Sequence, residues 1–207
     1  MRKKFQLSIA AQALLTKTAS GSREEFVSGF PEATVTAETA KTPDSQGTIV
    51  FTFTGNKVRF GATAESITVD WGDGPEEMPD NLDGTEVRHT YAGEAEHTVR
   101  IQAENLSFFN CNEQCLTALD VSNCIALRVL YCSSNKLSAL DMSKNTALKG
   151  LACDKNQLSA DALNRIFTDL PDEYGVILIE DNPGSDTCNR KIAAEKKWEF
   201  LLANCYQ

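Results

Sequence analysis

A pattern of leucine, cysteine and asparagine recurs every 21 residues in the second half of the chain. Two copies agree at every one of these positions: Leu127, Leu130, Cys132, Asn135 and Leu137, then Leu148, Leu151, Cys153, Asn156 and Leu158. An earlier copy is partial and has a glutamine in place of the asparagine: Leu106, Phe109, Cys111, Gln114 and Leu116. A period of this length lies within the roughly 20–29 residues of leucine-rich repeats. The pattern therefore predicts a coil in which each repeat forms one turn.

The spacing within each repeat predicts which side chains point inward. Residues two apart in a strand lie on one face, so Leu130 and Cys132 are expected to point into the core. Their equivalents on the next turn then lie one strand spacing away, about 4.8 Å. Asn135 and Asn156 follow the strand, where a side-chain amide can satisfy the backbone groups of the bend.

The aligned cysteines Cys111, Cys132 and Cys153 have two interpretations. They could fill the core as small apolar side chains, or they could form disulfides between turns. Cβ atoms about 4.8 Å apart are too distant for a disulfide, which prefers about 3.5–4.5 Å, so we expect buried thiols. The pairing of the other cysteines stays open, and the total of 7 is odd.

Strand-forming residues dominate the first half of the chain. Thr48–Thr54 and Val58–Phe60 predict two strands separated by a turn at Gly55-Asn56, and Ser66–Trp71 predicts a third strand. From His97 to Gln102, apolar and polar residues alternate as in a half-buried antiparallel strand.

Beyond the last repeat, the pattern changes to alternating helices and strands. The predicted elements are a helix over 159–170, a strand over Val176–Ile179, a helix over 185–197 and a strand over 198–202. Ser159 or Asp161 is expected to cap the first helix and Pro171 to end it. These elements predict a cap over the open end of the coil.

Together the patterns predict an α+β repeat fold. We expect a short leucine-rich-repeat solenoid with an antiparallel β-sandwich-like N-terminal cap and an α/β C-terminal cap. The expected divisions are a leader and linker over 1–47, a β segment over 48–105, the repeats over 106–158 and the C-terminal cap over 159–207. Because no Gly/Pro/Ser linker precedes the first repeat, we expect the β segment to cover the first turn within one cooperative unit.

The net charge and the hydropathy of the chain limit the range of partners and locations that we expect for the protein. The net charge of -9 argues against nucleic-acid binding, because phosphate backbones are also negative. No stretch approaches the ~18 apolar residues of a membrane-spanning helix, so no membrane insertion is expected. The N-terminus is basic from Arg2 to Lys4 and then apolar, with interruptions at Gln6 and Ser8. It is similar to a secretory signal, with an amphipathic or disordered leader as the alternative.

Catalytic and metal-binding motifs have no counterpart in the sequence. Serine-hydrolase, zinc-protease and phosphate-loop spacings are missing, and His89 and His97 lie in strand-like alternation. Asp70, Asp73 and the acidic residues that follow could hold calcium, or they could form a turn and a solvated loop. Their spacing is not that of an EF-hand, so we expect no bound metal. Because the catalytic motifs are missing, we expect no enzyme activity and no cofactor.

The repeat unit resembles the cysteine-containing class of bacterial leucine-rich repeats, which includes internalin-type adhesins. The run Val69–Gly74, together with His89–Tyr91 and His97–Val99, resembles the core of PKD-like β-sandwich modules. The closing run from Asn182 to Trp198 is similar to the cap of gut-bacterial surface repeat proteins. The resemblance implies a bacterial protein that is secreted or lies at the cell surface. The chain has about three turns, where adhesins usually carry many more.

The side chains between the inward leucine and cysteine point out on the opposite, concave face of the repeats. Phe108 and Tyr131 beside Arg128 and Lys149 combine the aromatic and cationic groups that are enriched in binding hot spots. The candidate binding residues are Phe108, Asn110, Arg128, Tyr131, Lys149 and Asp154. The alternative is that this face is merely exposed.

These expectations combine into a function without catalysis. We expect a monomeric adhesion or interaction module that binds a protein or a glycan. One alternative is a structural spacer within a longer surface protein. Another is an accessory glycan-binding component of a polysaccharide-degrading system.

Overall fold

The computed structural model describes residues 46–79 and 83–201, which contain nine strands and two helices. In chain order the elements are β1 Gln46–Thr63, β2 Ser66–Asp70, β3 Asp83–Glu104, β4 Phe108–Asn110, β5 Leu116–Asp120, β6 Val129–Tyr131, β7 Gly150–Ala152, α1 Ala160–Asp169, β8 Gly175–Leu178, α2 Lys191–Glu195 and β9 Trp198–Phe200. The expected leader and linker over 1–47 lies outside the described residues except for its last two residues, Gln46 and Gly47, which begin β1.

All nine strands belong to one mixed sheet. Its order is β2-β3-β1-β4-β6-β7-β8-β9, and β5 pairs with β1 at a separate position from β4. The pairs that involve β1, β2 or β3 are antiparallel. From β4 to β9 the pairs are parallel. β1 therefore joins an antiparallel half of the sheet to a parallel half.

This architecture corrects the predicted fold class. The described residues form one nine-stranded mixed sheet with two short helices, not a leucine-rich-repeat solenoid between a β-sandwich-like cap and an α/β cap. The prediction was wrong because β1 hydrogen-bonds β3 with one edge and β4 and β5 with the other. The antiparallel strands consequently continue the sheet of the repeats instead of forming a sandwich of their own.

The predicted turn at Gly55-Asn56 is a β-bulge within the continuous strand β1. Gly55 lies opposite Ala95, whereas Lys57 lies opposite Thr90, so β3 contains several extra residues at this point. Gly55 has a φ of 151°, a conformation that favours glycine. The sequence correctly indicated an irregularity at Gly55. The two strands that it was expected to separate are, however, a single continuous strand.

The leucines of the repeats are buried and stacked, as predicted. Leu130 pairs in register with Phe109 of the preceding turn and with Leu151 of the following one. All three side chains are fully buried. Successive turns thus place equivalent residues on neighbouring parallel strands.

The predicted bonding of the two asparagines is also confirmed. Asn135 donates to the carbonyl oxygens of Cys111 and Cys132, both at 2.9 Å, and accepts from the Leu116 N–H at 3.0 Å. Asn156 makes the equivalent bonds one turn later. We call this column of side-chain amides the amide ladder.

The amide ladder extends beyond the two predicted asparagines at both ends. Gln114 Oε1 accepts from the Arg59 N–H of β1 at 2.8 Å, because the longer glutamine side chain reaches the antiparallel strand. At the other end Asn182 accepts from the Leu158 N–H at 3.1 Å and donates to the Ile179 carbonyl at 2.7 Å. Side-chain amides therefore connect β1, the repeats and the C-terminal residues.

The three aligned cysteines form a buried column of thiols without disulfides, as expected. Cys111 donates to the Tyr131 carbonyl and Cys132 to the Ala152 carbonyl, each with a distance of 3.4 Å from sulfur to oxygen. Burial raises the pKa of Cys111, Cys132 and Cys153 well above that of an exposed thiol.

Aromatic side chains of β1 cover the first repeat. The ring centroids of Phe51 and Phe60 lie 6.4 Å and 5.5 Å from that of Phe109. The three residues belong to one buried cluster that also contains the stacked leucines. The expectation that the β segment covers the first turn is confirmed.

The residues after the repeats agree with the sequence prediction only in part. Ser159 caps α1, as expected, and its hydroxyl accepts from the Ala162 N–H at 3.2 Å. The second predicted helix is much shorter than 185–197, because the residues before Lys191 form successive turns. Lys196 donates to the Leu170 carbonyl at 2.7 Å and thereby caps the end of α1.

Candidate binding face

The sheet face opposite the core carries one continuous row of residues across six strands. The row contains Glu86, Gly61, Asn110, Tyr131, Ala152 and Leu178, each opposite the next on a neighbouring strand. The buried core residues Phe109 and Leu130 alternate with this row, so they lie on the other side of the sheet. We call the side that contains the row the outer face; it spans about 24 Å at a strand spacing of ~4.8 Å.

The parallel half of the outer face has its own apolar cluster, separate from the main core. Its buried members are Val129, Tyr131, Ala152, Val176 and Leu178, and half-buried Phe108, Tyr174 and Leu201 pack against them. We call these eight residues the outer cluster. The parallel strands therefore bury apolar side chains on both faces, which is typical of parallel sheets.

The two predicted aromatic residues lie together in the outer cluster. The rings of Phe108 and Tyr131 meet edge to face, with centroids 5.4 Å apart and an interplanar angle of 82°. Phe108 is half-buried, whereas Tyr131 is only 5% exposed. Tyr131 is therefore on the predicted face, but Phe108 offers the more accessible aromatic surface.

The two predicted cations flank the outer cluster. Arg128 is exposed and directly precedes Val129 of β6. Lys149 directly precedes β7 and forms an ion pair with the exposed carboxylate of Glu173. Both cations thus directly precede strands that contribute to the outer cluster, and the charge of Lys149 is paired with Glu173.

The remaining predicted residues belong to a polar border at the ends of the strands. Asn110 Oδ1 accepts from the Asn112 N–H at 3.1 Å, and Asn112 Oδ1 accepts from the Ser133 N–H at 2.7 Å. The Ser133 hydroxyl donates to the carboxylate of Asp154, which is 8% exposed. Asp154 is accordingly held by its neighbours rather than presented to solvent.

Half of the outer cluster lies beyond the repeats and could not be placed on this face from the sequence. Tyr174, Val176, Leu178 and Leu201 follow the repeats, where the 21-residue period no longer predicts which positions share a face. The available signal was the apolar run Val176 to Ile179, because a strand without polar alternation is buried on both sides.

His89 and the acidic turn form a structural stack with Trp71. The rings of Trp71 and His89 are parallel within 11°, with centroids 4.6 Å apart, and His89 Nε2 lies 2.9 Å from Asp73 Oδ2. The Tyr91 hydroxyl donates to the Trp71 carbonyl at 2.8 Å, and burial raises the pKa of Tyr91 to about 12. Asp70 accepts from the Gly72 N–H at 2.9 Å. These groups bond to one another and shape the turn after β2.

Comparison with protein-family models, with curated proteins and with solved structures found no match for this chain. The resemblance to bacterial surface repeat proteins therefore stays a prediction. None of the helices in residues 46–79 and 83–201 is long and apolar enough to cross a bilayer. Within the same ranges, no group of three or more His, Cys, Asp or Glu side chains could hold a metal ion.

Proposed function

We propose that the chain is a non-catalytic binding module that holds a segment of another protein on its outer face. The observation that carries the proposal is the outer cluster, a second apolar assembly on the side of the sheet away from the core. Apolar surface bordered by polar and charged groups is typical of protein interaction sites. Half-buried Phe108, Tyr174 and Leu201 would provide the contact area, and Arg128 and Lys149 would provide the charged margin.

A protein ligand fits this surface better than a glycan. Sugar rings stack on open, flat aromatic faces, but Tyr131 is 5% exposed and Phe108 packs against it. Aliphatic side chains such as Val176 and Leu178 supply much of the outer cluster. Aromatic residues and arginine are enriched in protein interfaces, and half-buried Phe108 and exposed Arg128 supply both. Glycan binding and a purely structural spacer are the competing functions.

We further propose that the module acts outside the cell or at its surface. The support is the basic and then apolar N-terminus, which lies outside the described residues, together with the resemblance of the repeats to bacterial surface proteins. Protease treatment of intact cells tests this location. Degradation of the chain before lysis is expected, and full protection would contradict the proposal.

Photo-crosslinking tests the proposed binding face directly. A photoreactive amino acid in place of Phe108 or Arg128 is expected to attach the chain covalently to one protein partner. The matched control is the same amino acid in place of Lys144. This residue is exposed in the loop between Met142 and strand β7. Crosslinks from Lys144 alone, or from none of the three positions, would contradict the proposal. Retention of the chain on a glycan array would favour the glycan alternative.

A further inference from the structure

The antiparallel end of the outer face contains a groove of about 460 Å³. It lies between β1, β3 and the loop that follows β4. Most of the residues that line it are charged or polar, among them Lys57, Arg59, Arg88, His89, Glu113 and Gln114. The volume lies within the ~300–1,000 Å³ of small-ligand sites, so the groove can admit one or two side chains of a partner.

Two arginines lie directly opposite each other in this groove. Arg59 of β1 is the cross-strand partner of Arg88 of β3, an arrangement in which like charges repel. One carboxylate contacts both: Glu86 Oε1 lies 3.3 Å from Arg59 Nη1, and Glu86 also forms an ion pair with Arg88. Because the side chain of Glu86 is only 9% exposed, its charge is fixed beneath the two guanidinium groups.

Both guanidinium groups keep surface that an incoming anion can reach. The side chain of Arg88 is 70% exposed and that of Arg59 is 43% exposed. Exposed Lys57 lies two residues before Arg59 and adds a third cation. Among the described residues that line the groove, Glu113 supplies the one carboxylate, which is 67% exposed and lies 3.2 Å from Arg59 Nη2. The groove therefore carries a positive excess in a chain whose net charge is -9.

We propose that this groove binds carboxylate side chains from an acidic stretch of the protein that occupies the outer cluster. The proposal rests on the proposed function for the identity of the ligand as a protein. Paired guanidinium groups match carboxylates through two parallel N–H···O bonds, which makes arginine well suited to this recognition. An incoming carboxylate would take the place of Glu113 on Arg59 Nη2, so that Glu113 competes with the ligand.

Continuity of the sheet makes the two sites parts of one surface. Gly61, two residues after Arg59, lies opposite Asn110, and Asn110 lies opposite Tyr131 of the outer cluster. Two strand spacings, or about 10 Å, thus separate the strand of Arg59 from that of Tyr131. An extended peptide covers this distance with about three residues. The partner is therefore expected to have acidic residues about three positions from the apolar residues that contact the outer cluster.

An NMR titration of the intact chain with an acetylated tetraglutamate peptide tests the groove. The side-chain Nε–H resonances of Arg59 and Arg88 are expected to shift at low ionic strength, and the shifts should disappear in 0.3 M salt because exposed charges are screened. Arg88→Gln should weaken binding at least fivefold, whereas Lys144→Gln removes an equal charge from a distant loop and should leave it unchanged. An unchanged melting temperature of Arg88→Gln would show that the fold is retained.

Glu113→Gln provides a variant with the opposite effect. Removal of the competing carboxylate should tighten tetraglutamate binding about two- to fivefold, the range that an exposed ion pair supports. No shift of either arginine, or equal affinity in Arg88→Gln and the unsubstituted chain, would overturn the proposal. Tight binding of a sulfated disaccharide without binding of tetraglutamate would assign the groove to an acidic glycan instead. Because the titration needs no contact at Phe108, its result is independent of the crosslinking experiment.

Discussion

At the residue scale, the amide ladder satisfies the backbone at the bend between successive turns. Each asparagine of the ladder donates to carbonyl oxygens of two turns and accepts a backbone N–H, as Asn156 does with Leu137, Cys132 and Cys153. These groups are buried, so water cannot replace a lost bond without a rearrangement. Asparagine combines the donor and the acceptor in a side chain short enough to stay within one bend.

Asn156→Ala is expected to lower the free energy of unfolding by about 3 kcal/mol. The substitution leaves the buried Leu137 N–H without its acceptor, which costs about 1–3 kcal/mol. It also removes one of the two donors to each of the Cys132 and Cys153 carbonyls, and each lost bond adds about 0.5–1.5 kcal/mol. Urea denaturation measures the change. Gln157→Ala, at an exposed neighbouring position, is the control and should change the stability by less than about 0.5 kcal/mol. A loss below about 1 kcal/mol for Asn156→Ala would show that the ladder is dispensable.

The buried thiols make the stability depend on alkaline pH. Burial raises the pKa of Cys111, Cys132 and Cys153 above the ordinary value of 9.0. Their contribution to stability is therefore complete below about pH 9 and is lost as the pH rises, because only the unfolded chain releases these protons. Each thiol should contribute a slope of up to about 1.4 kcal/mol per pH unit.

Denaturation of the unsubstituted chain and of Cys132→Ala between pH 8 and pH 10.5 checks this dependence. The variant is expected to be less stable at every pH but to lose stability less steeply above pH 9. Because both proteins have the same lysines and tyrosines, the difference between the two slopes reports on Cys132 alone. Identical slopes would mean that Cys132 ionises equally well in the folded chain.

At the element scale, residues that recur at a regular interval could be predicted from the sequence, whereas irregularly spaced residues could not. The repeats revealed the buried leucines, the thiols, Asn135 and Asn156, because each position recurs at one interval. Gln114 was recognised at the asparagine position, but its bond to β1 was not, since that strand is distant in sequence. Asn182 was missed because it lies 26 residues after Asn156, outside the 21-residue period. The length of β1 was missed because a Gly-Asn pair signals a bulge and a hairpin turn alike.

Gly184 packs against the start of α1. A Cβ atom at this position would lie 2.1 Å from the backbone nitrogen of Ala160. The turns that follow run to Lys191, and the Asn189 N–H among them donates to Asn164 Oδ1 of α1 at 2.7 Å. Over residues 185–190 the helix signal was therefore overridden by packing against another element.

Gly184→Ala is expected to destabilise the chain by more than about 2 kcal/mol. The clash is with backbone, which cannot move aside as a flexible side chain can, and overpacking of this kind costs about 1–3 kcal/mol or more. Gly93→Ala is the matched control, because a Cβ atom there meets no other atom within 4 Å. It should change the stability by less than about 1 kcal/mol. Thermal melts of both variants check the contrast, and equal melting temperatures would contradict the close packing at Gly184.

At the scale of the whole molecule, β1 determines how the two halves of the chain behave. It shares hydrogen bonds with β3, β4 and β5 and places aromatic residues over the first repeat. The outer face includes residues of β1, so the groove lined by Arg59 and Arg88 and the outer cluster lie on one surface. The proposed binding of one extended partner depends on this continuity, which periodicity within either half could not reveal.

The two tryptophans provide the most direct measurement of this continuity. Trp71 directly follows β2 at one edge of the sheet, and Trp198 begins β9 at the other edge. With 5-fluorotryptophan in the otherwise unsubstituted chain, ¹⁹F NMR can follow both residues separately through a urea titration. The single sheet predicts that both native signals disappear with one common midpoint, as expected for a cooperative transition. Two distinct midpoints would show that the antiparallel and parallel halves unfold independently, which would contradict the account.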